Sequence, residues 1–121
     1  MRALLAFILI CGHAQAGETS IAKAPFLEGM KAGLPDVFCA EKTYFRKCFP
    51  VSKDDCAKQM KAAADECLAS VGKDVPAQLH QPADGQAWGE KIGSCVGTKF
   101  ESANQASKVK SPDCEDSTKW K

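Results

Sequence analysis

Residues 52–72 read SKDDCAKQMKAAADECLASVG, and this stretch carries the start, the buried face and the stop of one helix. Ser52 suits an N-cap, because its hydroxyl can accept a backbone N–H left without a partner in the first turn. Asp54 and Asp55 place negative charge at the positive end of the helix dipole. Cys56, Met60, Ala63, Cys67 and Val71 then recur in steps of four and three, a single apolar seam on the helical period. Lys58, Lys61, Asp65 and Glu66 fall on the solvated side. Gly72 offers a left-handed stop. Two cysteines on the buried face of such a helix predict an all-α fold stapled by disulfides.

The same grammar extends outward. Upstream, Pro25 suits a first helical turn, and Phe26, Met30 and Leu34 share one face until Pro35, which predicts a short first helix. Asp36 can cap a second helix through Val37, Phe38 and Cys39, ending near Cys48 because Phe49-Pro50 disfavours helical geometry. Downstream, Lys73 to Asp84 reads as a connector holding Pro76 and Pro82, with one turn around Ala77 to Leu79. Asp84 then caps a last helix from Gly85 to Gln105. The expectation is a small disulfide-stapled bundle of about four helices. It divides into a leader at 1–16, a flexible N-terminus at 17–24, a helical domain at 25–107 and a tail at 108–121 tethered by a disulfide.

The last helix has one unusual feature. Gly85, Gly89, Gly93 and Gly97 recur every fourth residue, and each interior glycine costs about 1 kcal/mol relative to alanine. Trp88, Ile92, Cys95, Val96 and Phe100 fill the adjoining arc of the wheel. The simpler explanation is that this is the central helix, with the glycines admitting a neighbouring helix or the connector close to its backbone. The functional alternative is a shallow groove floored by Gly89, Gly93 and Gly97 and walled by Trp88 and Phe100, open to a partner loop or a small apolar ligand. Glu90, Lys91, Lys99 and Glu101 interrupt the stripe, so it does not read as a membrane dimerisation face.

At the N-terminus, Arg2, the apolar run Ala3 to Cys11 and Ala14-Gln15-Ala16 make a secretory leader with a small-residue cleavage site. No later apolar stretch approaches membrane-spanning length. Of the seven cysteines, Cys11 belongs to the leader. Cys39, Cys48, Cys56, Cys67, Cys95 and Cys114 form an even set in an exported chain, which predicts three disulfides. The absence of any C-x-x-C pair argues against structural zinc. Six cysteines allow 15 pairings. The preferred one is a nested hairpin, Cys39 with Cys67 and Cys48 with Cys56, leaving Cys95 with Cys114 to tie the tail to the glycine-rich helix.

Charge narrows the partners. The chain has 16 Lys and Arg against 15 Asp and Glu, and loss of Arg2 with the leader balances them. Interleaved charges of both signs do not make a phosphate-binding surface, so nucleic acid is excluded as a partner. His80 is the sole histidine after the leader and no G-x-S-x-G elbow accompanies it, leaving a Ser-His-Asp site without support. Glu28, Glu41, Asp65, Glu66 and Glu90 are carboxylates of the kind glycosidases use, but none stands in an apolar run that would raise its pKa. No catalytic residue, metal ligand or cofactor is assigned.

In size, leader and cysteine usage the chain resembles the small helical periplasmic proteins of Gram-negative bacteria, a class that includes immunity proteins against secreted cell-wall amidases. The lack of any catalytic constellation, the stapled scaffold and the near-neutral charge point to an exported, non-enzymatic protein, periplasmic or extracellular, that binds another protein, and the resemblance implies an inhibitor or immunity role in the periplasm. Tyr44 and Arg46, within the cluster Lys42 to Lys47, are the candidate anchors, since Tyr and Arg dominate interface hot spots. The alternative is a secreted effector or small-ligand carrier that uses Trp88, Gly89, Gly93, Gly97 and Phe100.

Overall fold

Ser52 caps as its spacing predicts. Its Oγ accepts the Asp55 backbone N–H at 3.1 Å, and helix α3 runs Lys53–Ser70. The computed structural model describes residues 19–120, and the expected leader lies outside them. Cys56, Met60, Ala63 and Cys67 of the seam are buried, with Ala64 beside them. α3 is the central helix, packed between α1 (Lys23–Phe38) and α4 (Ala83–Asn104). The central position therefore belongs to the capped seam and not to the glycine-rich helix. Asp65 and Glu66, on the solvated side, pair with Lys31 and Lys99 of the neighbouring helices at 3.1 and 2.7 Å. Such exposed pairs orient helices more than they stabilise them.

Several local signals are overridden. Pro35 does not stop the first helix, because α1 continues through it to Phe38. The proline removes one N–H from the ladder, but its own carbonyl accepts the Cys39 N–H at 2.9 Å, and burial of Phe26 and Leu34 holds the helix on the core. The second helix expected from Asp36 to Cys48 is consequently divided. Its start is the last turn of α1, and only one turn, α2 (Tyr44–Lys47), follows. The break is fixed by Thr43, whose hydroxyl lies 2.6 Å from the Phe38 carbonyl at the end of α1 and 2.9 Å from the Ala40 carbonyl, which also accepts the Thr43 backbone N–H at 3.1 Å. Gly72 makes no left-handed stop either. No described residue has a positive φ, and the chain passes into a 3-10 turn at Gly72–Asp74, where Gly72 packs against Leu27.

A small two-stranded ribbon was not expected. β1 (Thr19–Ala22) pairs antiparallel with β2 (Gln78–Gln81), Ile21 opposite Leu79, so that part of the segment taken as a flexible N-terminus is a strand. Of the connector's expected turn at Ala77 to Leu79, Gln78 and Leu79 are likewise extended, within β2. Period-2 alternation explains the choice: Leu79 is fully buried while His80 is exposed. Asp84 does not cap α4, which starts at Ala83; its carboxylate accepts the His80 backbone N–H at 2.7 Å.

The disulfides are Cys39–Cys56, Cys48–Cys114 and Cys67–Cys95, and all three expected pairings are corrected. Cys56 and Cys67 do share one face of α3, yet eleven residues at about 1.5 Å rise separate them by about 16 Å. The single helix that would have spanned both is divided between the end of α1 and the one turn of α2, so they meet different neighbours. Cys56 reaches the end of α1, and Cys67 reaches α4. Cys48, at the end of α2, is left for the tail.

The tail is tied down at several points. Val109 N–H donates to the Cys48 carbonyl at 2.8 Å, Ser111 caps the single turn α5 (Pro112–Glu115), and the Trp120 indole N–H donates to the Asp113 carbonyl at 2.8 Å.

Candidate functional site

The corner where α1, α2, α4 and the tail meet is built from aromatic rings. Phe100 and Phe49 are both buried and meet edge to face at 5.4 Å. Phe45 stands on Phe100 at 5.3 Å and leans on Phe38 at 5.0 Å. Tyr44 contacts Phe45, Phe49 and, across the tail, Trp120 at 6.0 Å. Edge-on and tilted pairs of this kind are favoured by the ring quadrupoles.

The glycine stripe finds its explanation here, in part. A Cβ on Gly97 would sit 3.1 Å from the Phe45 ring, and one on Gly93 would sit 3.5 Å from Phe38. The glycines thus receive ring edges from the α1–α2 corner, not the backbone of another helix or of the connector. Gly89 has nothing within 4 Å of where its Cβ would be, and nothing in the structure explains it.

This packing leaves an apolar face. Phe38, Phe45 and Trp120 are half-buried at its surface, and Val37 beside them is 64% exposed. Two depressions share Phe45 and Trp120 as walls. One, about 290 Å³, runs over Gly93 and Gly97 past Tyr44 to Glu101. The other, about 450 Å³, is lined by Val37, Phe38, Thr43, Lys42 and Lys119. An apolar floor with a polar rim is the usual form of a surface that takes a partner.

Of the residues singled out from sequence, Tyr44, Gly93 and Gly97 come together at this face. Tyr44 is only 9% exposed and belongs to the core that supports it. Phe100 lies beneath, at 1% exposure, so it forms no outer wall of a groove with Trp88. Trp88 and Gly89 lie in the first half of α4, where the Lys91 ammonium sits 4.4 Å over the indole. Arg46 lines a separate depression with Asp36, Glu41 and Lys53; its guanidinium donates to the Cys39 carbonyl at 3.0 Å. Its Nε is buried without a hydrogen-bond partner. All six candidate cysteines are bridged.

Val37, Phe38, Lys119 and Trp120 were missed. The first two read only as the first turn of a second helix, which the structure instead makes the end of α1. The last two lie in a tail whose only evident contact was its cysteine.

Tyr44 is also the electrostatic feature of the site. Burial pushes its phenol above the ordinary value, and Glu101 beside the hydroxyl reinforces this, while Lys108 opposes it. Lys108 is raised in turn, chiefly by its hydrogen bond to Tyr44, and its ammonium lies 5.5 Å from the ring. A phenol raised in the folded state contributes stability that is complete below its unfolded pKa, about 10, and is lost as pH rises through the folded value. Tyr44 is the only tyrosine, so phenolate absorbance reports it alone. The expected titration midpoint lies above that of the denatured chain, and a coincident or lower midpoint would refute the burial argument.

Among the described residues, no group of three or more His, Cys, Asp or Glu side chains is placed to hold a metal ion. No described helix is long and apolar enough to cross a membrane. The Asp84 carboxylate beside His80 engages the backbone N–H. The model of a family described as "NttA: T2SS substrate NttA", a substrate of the type II secretion system, matches residues 20–108. No curated protein matches the chain, and no solved structure does.

Proposed function

The chain belongs to the NttA family of type II secretion substrates, and from that premise we propose that it is a secreted, non-enzymatic binding protein that holds another protein on the face made by Val37, Phe38, Phe45 and Trp120. The observation that carries this reading is the exposure of Val37 at 64% beside three half-buried aromatic rings. Rings already fixed by their neighbours lose little freedom when a partner docks, and three disulfides hold the scaffold still, so little of the binding energy is spent on ordering. Of the two expected places of action, periplasm and extracellular space, membership of a family of secretion substrates supports the second, and we propose an effector that occupies or inhibits a target there.

Carriage of a small apolar ligand is the second reading, favoured by the glycine floor. The depression over Gly93 and Gly97 is about 290 Å³, at the small end of the range for ligand pockets, about 300–1,000 Å³. That size suits an inserted side chain better than an enclosed ligand.

Val37→Asp is the discriminating variant, because it charges the face without touching the buried core. Affinity capture from the medium in which the protein acts is expected to recover one protein in stoichiometric amount with the wild type. With Val37→Asp the yield should drop at least tenfold, the loss of a hot-spot contact of about 1.4 kcal/mol or more, at unchanged melting temperature. Undiminished capture of the same protein would remove this face from the function. An extracted lipid or metabolite in place of a protein would select the carrier reading.

A further inference from the structure

We infer that the partner segment docked on this face is acidic as well as apolar, its carboxylates gripped by Lys42 and Lys119, which line the Val37 depression; this rests on the docking reading above. The argument is charge complementarity. Among the described residues, Lys42 and Lys119 are the only charged side chains that line the depression, whose other liners are Val37, Phe38, Thr43, Phe45 and Trp120. Both lysines are exposed, and among the described residues Lys42 makes no ion pair.

Lys119 does hold the Asp113 carboxylate at 2.9 Å, but that pair is half-exposed or more on both sides. An exposed pair of this kind contributes little and is readily exchanged for an incoming carboxylate. Glu41, next in sequence to Lys42, lines the separate depression with Arg46. Glu101 lines the depression across the Phe45 and Trp120 walls. Of the two depressions that share the Phe45 and Trp120 walls, only the Val37 one is lined by cations and by no carboxylate among the described residues; Lys108 stands over the Tyr44 ring without lining the other. A peptide with apolar residues at every second position and carboxylates between them would place its apolar side chains on the rings and its charges on the two ammonium groups.

The test uses the full oxidised protein carrying Trp88→Phe. The chain has two tryptophans, so Trp120 then reports alone. Its emission is followed on titration with the blocked peptide Glu-Leu-Glu-Phe-Glu and with counterparts in which every Glu is Gln or Lys. The acidic peptide is expected to bind at least tenfold more tightly than the lysine peptide, with an advantage that shrinks as salt screens it. Lys42→Glu with Lys119→Glu should reverse the order.

Equal binding of all three peptides would overturn the charge assignment while leaving the docking face in place. No response to the acidic peptide would overturn it as well. A response to phosphatidylglycerol vesicles but to no peptide would replace the protein partner with an anionic lipid surface. The docking reading fails separately, through undiminished capture by Val37→Asp.

Discussion

In excess dithiothreitol the oxidised protein is expected to lose its helical circular dichroism and its cooperative denaturation together. The three bridges close intervals of 17, 28 and 66 residues. Chain-entropy estimates for loops of these lengths are about 3, 3.5 and 4 kcal/mol, before native strain and without assuming additivity. A domain's whole stability is about 5–15 kcal/mol. Removing the three constraints is thus comparable with the net stability itself. The bridges also differ in what they hold. Cys39–Cys56 and Cys67–Cys95 tie the ends of α3 to its neighbours, whereas Cys48–Cys114 ties only the tail. Cys48→Ala with Cys114→Ala should keep the three long helices and free Trp120 from Tyr44. A urea midpoint unchanged by full reduction would show that the apolar seam is sufficient alone.

Phe100→Ala is expected to destabilise the fold by about 3–5 kcal/mol, the usual cost of deleting a fully buried aromatic ring. Phe100 is 1% exposed and supports Phe45 and Phe49 from below. Its loss opens a void beneath the ring that packs against Gly97, so the outer face should loosen along with the core. Val37→Ala is the contrast. That side chain is 64% exposed and should change stability by no more than about 0.5 kcal/mol. Urea denaturation of the two variants measures both effects. Similar, small losses in both would mean that the core closes over the missing ring.

α3 was legible because three independent signals coincide on it: a cap at Ser52, a seam from Cys56 to Cys67 and a solvated side opposite. Pro35 and Gly72 misled because each is a local rule, and tertiary burial of Leu34 and the packing of Leu27 on Gly72 outweigh it. The ribbon was hidden because four-residue strands carry little periodicity, and Ile21 and Leu79 acquire meaning only when paired.

The site was half legible. Gly93 and Gly97 announced close packing, but the rings that fill their notches come from residues 38 and 45, far away in sequence. Trp120 had no local signal at all, since its position depends on Cys48 capturing Cys114. The pairing itself was not legible. A nested hairpin needs the helix expected from Asp36 to Cys48, and its absence, which leaves Cys39 at the end of α1 and Cys48 at the end of α2, sends Cys56 and Cys67 to different partners.

That pairing bears on how the protein is made. In chain order the cysteines are joined first to third, second to sixth and fourth to fifth. An oxidant that links each thiol to the next one to emerge during translocation produces Cys39–Cys48, a bond the finished molecule does not contain. Cys48 must stay reduced, or be released again by thiol exchange, until Cys114 near the end of the chain has arrived. The Cys48–Cys114 bridge therefore cannot close before Cys114 has crossed, and the aromatic face, which includes Trp120, is assembled only after that late crossing.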